Sequence, residues 1–441
     1  MGDLMRPIPF GELVKRIFDE YRQAGSVFGI PRIHFFKKQN DNWVGTFRDT
    51  CDTPIGPAAG PHTQMTQNIV ASYLAGGRFM ELKTVQKLDN LEIDKPCIDA
   101  RDECYNTEWS TEFSLEKAYD EYVKAWIILH LLEEVFEPRL DPQSRSFIFN
   151  MSIGYDLEGI KTEKMDRYIN DMIDSSNNEL FNSYLDELKE ILEKGEFLKG
   201  TGLEKRLDAV LGLEKRIPSA VSPTVTLSTM HGCPPDEQEA ICRYLLTEKN
   251  IDTYVKLNPT LLGYEKVREI LDTLGYNYLH VSRDSFDHDL QYNDAVAMLR
   301  RLIDTAEGKG KEFGIKLSNT LGSINDQGAL PGDDMFMSGR ALFPLTVNLA
   351  AALSEEFEGD LPISYSGGVN GFNAAELFET GIRPITLATD MLKPGGYLRM
   401  KEIALKLETS KGWDKGSIDP KAVRSLADKS LKAGYTRKHF R

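Results

Sequence analysis

The residues best suited to chemistry fall at the ends of short apolar runs. Ser366-Gly367-Gly368-Val369 closes one run and Ala388-Thr389-Asp390 closes the next. Paired glycines expose backbone N–H groups and admit a phosphate at close range, and Thr389 adds a hydroxyl donor. A plain turn uses the same residues. Lys83 in ELKTV and Lys256 in VKLNP stand inside otherwise apolar runs. A lysine there needs an internal counter-ion, a route to solvent for its stem, or a bound group whose negative charge it stabilises. Asn106, Glu108, Asn150, Ser228, Asn319 and Thr320 also sit at run ends. Side chains of this kind can hold the polar edge of a planar heterocycle, although isolated Asn residues also form turns.

The stretch Thr226-Leu-Ser-Thr-Met-His231-Gly-Cys233-Pro-Pro gathers hydroxyl, imidazole and thiol in one tight loop. Cys233 can move a proton if its surroundings tune it, and His231 can serve instead. A structural role fits either side chain equally well, and geometry must choose. Asp287-His288-Asp289 has the composition of a metal patch but lacks a further spaced ligand. Turn or helix-cap chemistry is the expectation there, and no metal is assigned. Cys51, Cys97, Cys104, Cys233 and Cys242 form no C-x-x-C pair. That argues against a disulfide framework and against an iron–sulfur or zinc site built by this chain.

These residues need a scaffold that brings run ends together. Nine β-rich runs precede helical patterns: 53–60, 78–85, 146–154, 223–230, 252–259, 277–284, 314–322, 362–369 and 384–391. Several are apolar throughout, as in strands covered on both faces, and the strand–helix alternation implies βα units. The expected fold is α/β, a (β/α)₈ TIM barrel with helical insertions. A doubly wound sheet is the alternative. In a barrel, the loops after the last two strands form the usual phosphate site, where both glycine/threonine turns stand. The boundaries expected are an N-terminal extension over 1–50, a barrel over 51–400 and a helical basic tail over 401–441. Helical insertions are placed at about 112–140 and 160–217, as rim decoration or a small docking subdomain.

The chain has 441 residues, a net charge of −15 and a pI of about 5.1, with 41% hydrophobic residues. Such a surface repels nucleic-acid phosphate and anionic lipid, so neither is expected as a partner. No apolar run reaches the ~20 residues of a membrane span, and the N-terminus lacks a secretory pattern, so a cytoplasmic location is expected.

TPIGPAAGPHT, ELKTV, YNTEWSTEFSLEKA, VKLNP, LSNTLGS, MSGRALFPL, SGGV and LATDM follow one another in this order. The set resembles the catalytic barrel of dihydroorotate and dihydropyrimidine dehydrogenases over most of residues 52–400. That resemblance implies FMN as cofactor. It places Ala58, Ala59, Gly60, Lys83, Thr84, Asn150 and Lys256 on the flavin side, with Ser338 and Gly339 near it. Gly367, Gly368, Ala388 and Thr389 match the phosphate turns. Asn106, Glu108, Ser228, Asn319 and Thr320 match substrate contacts. The family runs directly from its lysine strand to its T-N-T-V strand, so NYLHVSRD (277–284) is the expected supernumerary run.

One departure concerns the proton. The family has Asn-Leu-Ser-Cys-Pro where this chain has Thr226-Leu-Ser-Thr-Met, so its proton-transfer cysteine falls on Thr229. Cys233, four residues on, is the other candidate. LSTMHGCPPDEQEAI is similar to the N-terminal part of larger selenate reductase subunits of the YgfK type, which continue into iron–sulfur and FAD/NAD(P)H modules and are associated with purine breakdown. The resulting expectation is an FMN oxidoreductase acting on a C=C or C=N bond of a purine- or pyrimidine-type ring. Its electrons would come from a partner protein or from missing modules. A flavin-free scaffold barrel and a phosphate-binding lyase or isomerase remain as alternatives.

Overall fold

The computed structural model describes residues 5–88, 90–101, 103–137, 146–229, 231–432 and 435. Eight of the nine runs become parallel strands: β1 Ile55–Pro57, β2 Phe79–Glu81, β3 Ile148–Ile153, β4 Thr224–Leu227, β5 Asp252–Leu257, β6 Phe313–Leu317, β7 Ile363–Tyr365 and β8 Ile385–Leu387. They form one eight-stranded sheet in the order β1-β8-β7-β6-β5-β4-β3-β2. The ends meet where Arg78 N–H donates to the Ile55 carbonyl at 2.8 Å. Gly56 permits that closure, since a Cβ there would lie 1.6 Å from the Phe79 carbonyl oxygen. The sheet is therefore a barrel, and the doubly wound alternative is set aside.

NYLHVSRD forms no strand; the chain turns through it and enters the short helix Arg283–His288. Tyr276, Leu279, Val281 and Phe286 bury themselves against Leu321, Met337 and Leu342 in a satellite core. Local packing accounts for the apolar run, so periodicity alone misreads it as a strand.

Crossover helices cover the barrel: α1 Thr66–Leu74, α2 Leu115–Phe136, α3 Glu163–Ile173, α4 Pro235–Thr247, α5 Tyr292–Lys309, α6 Leu342–Glu356, α7 Ala374–Glu379 and α8 Leu398–Glu408. The segment read as an insertion at 112–140 thus supplies α2, the β2–β3 crossover. Its Ser114 N-cap accepts from Lys117 N–H, and most of its side chains are buried. Of the segment 160–217, Glu163–Ile173 is α3 of the crossover layer, and the following helix Glu179–Lys194 packs on the N-terminal helix Phe10–Ala24, where Phe10 stacks on Tyr184 at 5.1 Å. None of their residues reaches the barrel mouth, so they decorate its flank. Beyond α8, helix Pro420–Ser430 buries Val423, Leu426 and Ala427, and Arg424 pairs with Glu355 of α6 at 2.6 Å. The end of the basic tail, 436–441, lies outside the described residues.

Two loops build a second layer over the mouth. The β2–α2 loop contributes strands Ile98–Asp99 and Cys104–Asn106, and the β6–α6 loop contributes Leu321–Ile324 and Asp334–Ser338. They form a four-stranded antiparallel sheet in which Asn106 pairs with both Ile98 and Phe336. No helix among the described residues is long and apolar enough to cross a membrane.

Candidate active site

Period-two alternation sends every second strand residue into the barrel. Under the mouth this produces a polar layer. Lys256 on β5 stands beside Lys316 on β6, Lys316 beside Ser364 on β7, and Glu81 on β2 beside Asn150 on β3. Lys316 Nζ donates to Glu81 Oε2 at 2.9 Å, Thr386 Oγ1 at 2.6 Å and Ser364 Oγ at 3.3 Å. Burial lowers the affinity of Lys316 for its proton, and Glu81 opposes that. Burial likewise pushes the Glu81 carboxyl up, but Lys316 and Lys256 outweigh it and hold it below the ordinary range. Lys256 makes no hydrogen bond or ion pair with the described residues, and its side chain lines the cavity above this layer.

That cavity holds about 690 Å³ at the C-terminal ends of the strands. It is within the ~300–1,000 Å³ usual for small-molecule sites. Ala58, Ala59, Gly60, Lys83, Thr84, Lys256, Ser338, Gly339, Gly367, Gly368, Ala388 and Thr389 line it. So do Asn106, Glu108, Ser228, Thr229, Asn319 and Thr320. The structure thus brings nearly every residue singled out from sequence to one space.

Two do not arrive. Asn150 is fully buried below the lining; its amide donates to Thr226 Oγ1 at 2.7 Å and accepts from Thr224 Oγ1 at 2.9 Å. Its hydrogen-bonding capacity goes to the barrel floor. Cys233 lies outside the lining, half-buried on the loop after β4, with its thiol 3.9 Å from the Pro234 carbonyl and in contact with Thr229. Burial and neighbouring carboxylates push that thiol up to about 11, the opposite of activation. Of the proton-transfer candidates, Thr229 and His231 line the cavity and Cys233 does not.

Several lining residues were missed from sequence. Lys316 carries the signal that flagged Lys83 and Lys256, a lysine within an apolar strand. Glu81 had the same signal with the opposite charge. Trp109, Phe336 and Tyr155 come from loops whose course only the tertiary fold sets.

The glycines at the far end form a tight cradle. Gly339 and Gly368 have φ of 77° and 66°. A Cβ on Gly368 would lie 2.3 Å from the Gly339 carbonyl oxygen, and one on Gly367 would lie 2.5 Å from Thr346 Oγ1. Ser338 and Thr389 hydroxyls meet beside them at 2.8 Å. Backbone is therefore exposed where side chains would close the space, the arrangement that phosphate groups use. Across the cavity, Lys83 Nζ donates to the Trp109 carbonyl at 2.5 Å and lies 4.6 Å from the Trp109 ring centre. Burial, with help from Lys256, brings Lys83 down to about 7. An anionic ligand would return its proton and relieve two crowded cations.

On the opposite wall, His231 stacks on Phe336 with ring centres 5.5 Å apart. Its Nδ1 lies 3.4 Å from Asp289 Oδ2, and its Nε2 lies 3.7 Å from Glu108 Oε2. Thr320 Oγ1 donates to Glu108 Oε1 at 3.4 Å, and the Glu108 N–H donates to Asn106 Oδ1 at 2.7 Å. The Asp287-His288-Asp289 triplet is split. His288 bonds the Asp284 carbonyl of its own helix, while Asp289 turns inward.

Fold and cavity together define a (β/α)₈ barrel protein with a lysine-bearing cavity at the C-terminal ends of its strands. The chain belongs to the family described as oxidoreductase YgfK, N-terminal TIM-barrel domain, whose profile matches residues 28–438. Two Escherichia coli proteins provisionally named oxidoreductase YgfK, from strain K12 and from O157:H7, are each 56% identical over 441 residues. The match covers 100% of this chain and 42% of each relative, so the chain spans less than half their length. Among solved structures, a ligand-free DHODH from Eimeria tenella overlaps 90% of this chain and 94% of its own, with TM-score 0.47 and 17% identity.

Proposed function

We propose that this chain is the flavin barrel of an oxidoreductase, binding FMN in the mouth cavity and acting on a planar purine- or pyrimidine-type ring. The observation that carries this reading is the unpaired Lys256 above the Glu81–Lys316 floor, facing a glycine cradle across one cavity. A cation left without a protein partner costs folding energy unless a ligand supplies the charge. Gly339, Gly367, Gly368, Ala388 and Thr389 would hold the phosphate. Ala58, Ala59, Gly60 and Thr84 would lie along the ring system, with Lys83 and Lys256 supplying positive charge. When bound, FMN would supply two-electron chemistry; the barrel supplies orientation and electrostatics. Asn106, Glu108, Ser228, Asn319 and Thr320 would hold the substrate's polar edge. The family's description as an oxidoreductase agrees with this, and its longer members leave room for electron-donating modules.

Incubating the purified chain with FMN, removing the excess and identifying what stays bound by absorbance and mass tests this reading. One FMN per chain is expected. No uptake, or a different phosphorylated compound in its place, would sink the reading and favour a scaffold or a phosphate-binding barrel.

A further inference from the structure

The sequence offers Cys233, Thr229 and His231 for the proton and does not choose among them. Cys233 lies outside the cavity, and the Thr229 hydroxyl can donate only if some other group takes up the charge. We propose that His231, oriented by Asp289, is the proton donor and acceptor of the mouth cavity. This rests on the flavin reading above and extends it to a residue and its support.

Asp289 belongs to the segment that precedes α5, next to the run that looked like a ninth strand. Its side chain is almost wholly buried and is over-determined by donors: Thr260 Oγ1 at 2.6 Å, Asn258 Nδ2 at 2.8 Å and the Gly232 N–H at 3.2 Å. Those bonds keep the carboxylate ionised and fixed. An ionised carboxylate only accepts, so His231 Nδ1 must carry the hydrogen in that contact. The exchangeable position is then Nε2. That atom is covered, lacks a hydrogen-bond partner among the described residues and lies 3.7 Å from Glu108 Oε2, on a side chain that lines the cavity. Phe336 stacking fixes the ring plane.

The charged groups facing the imidazole are Asp289 from the pre-α5 segment, Glu108 from the β2–α2 loop and Lys256 from β5. Burial disfavours the imidazolium, but the Asp289 bond and Glu108 outweigh burial and Lys256, and the ring titrates above its ordinary value. In the reducing direction, bound FMN in its reduced form would supply the hydride to one atom of a C=C or C=N bond. The neighbouring atom gains a proton as the Nε2–H bond breaks. The neutral imidazole then recovers its proton from solvent. Oxidation runs the same transfers backwards. Asp289 is a positioning residue, because it acts only through His231.

The test uses the full chain and two variants, His231→Gln and Asp289→Asn. Histidine-labelled NMR of the protein without added flavin follows each imidazole against pH, with His231 assigned by its loss in His231→Gln. A His231 titration above the ordinary histidine value that moves down in Asp289→Asn supports the dyad. A titration at or below that value, or one indifferent to Asp289, overturns it. Next, the FMN-loaded chain is reduced with dithionite and mixed with uracil or xanthine. His231→Gln should retain FMN and lose at least about a hundredfold in the rate constant for reoxidation, chiefly in kcat. That rate should fall as pH rises through the His231 titration, and the fall should come at lower pH in Asp289→Asn. Full turnover in His231→Gln with FMN bound would overturn the proposal and leave the flavin reading standing. Failure of the wild-type chain to take up FMN would remove the flavin reading and leave the dyad to the titration.

Discussion

The two ends of the barrel use the same strands in opposite ways. At the N-terminal end, the hairpin Val44–Thr46 and Asp49–Cys51 inserts Phe47, which stacks on Tyr254 at 3.9 Å and on Phe79 at 5.4 Å. Tyr254 OH and the Phe47 N–H share Glu312 Oε1 at 2.5 and 3.1 Å. Gly314 leaves room for the Tyr254 ring, which an added Cβ would meet at 2.6 Å. Two residues further along the same inward faces, Phe79 gives way to Glu81, Tyr254 to Lys256 and Gly314 to Lys316. Thr46 Oγ1 of the same hairpin is buried without a hydrogen-bond partner among the described residues. At the mouth, Lys256 makes no hydrogen bond or ion pair with the described residues, and His231 Nε2 makes no hydrogen bond. In barrels of this kind the N-terminal face serves stability and the C-terminal face carries the site-building loops, and the inward residues at the two ends differ accordingly.

This contrast can be broken by variants at each end. Phe47→Ala should cost about 3–5 kcal/mol of unfolding free energy, because a buried ring leaves a cavity the barrel cannot collapse. FMN retention should persist in the folded fraction; urea unfolding and flavin absorbance check both. Glu81→Gln strands Lys316 as a buried unpaired cation and should cost about 3 kcal/mol or more. A smaller loss would mean that Lys316 sheds its proton in the folded chain, which a stability that rises with pH towards the ordinary lysine range would reveal. Lys256→Met should reverse the pattern, with stability unchanged or raised and FMN retention weaker by about a hundredfold, or about 2.7 kcal/mol. Equal loss of both would place Lys256 among the structural lysines and remove the observation on which the flavin reading stands. Cys233→Ala is the smallest expected effect, within about 0.5 kcal/mol in stability as for a surface site, and within twofold in turnover. A large loss of turnover would return the proton role to the thiol.

Much of the site was legible because it lies on strands and strand ends. A lysine in an apolar strand must be explained, and a Gly-Gly turn after the seventh strand of a barrel has one usual use. Asn150 was misassigned because the sequence could not tell its inward amide from one at the mouth. The difference is one layer along β3, where Thr224 and Thr226 consume its bonds. Cys233 lies four residues past the matching position, and only the course of the loop shows that it stays outside the cavity lining.

The sequence by itself determined the parallel strands, their alternation with helices and the residues at their C-terminal ends, because period and composition are local properties. Tertiary structure alone decided that 277–284 is core packing, that two distant loops pair into a sheet over the mouth, and that Asp289 reaches His231 across 58 residues of chain. Those outcomes depend on which surfaces meet when the barrel closes, and spacing along a chain carries no record of that meeting.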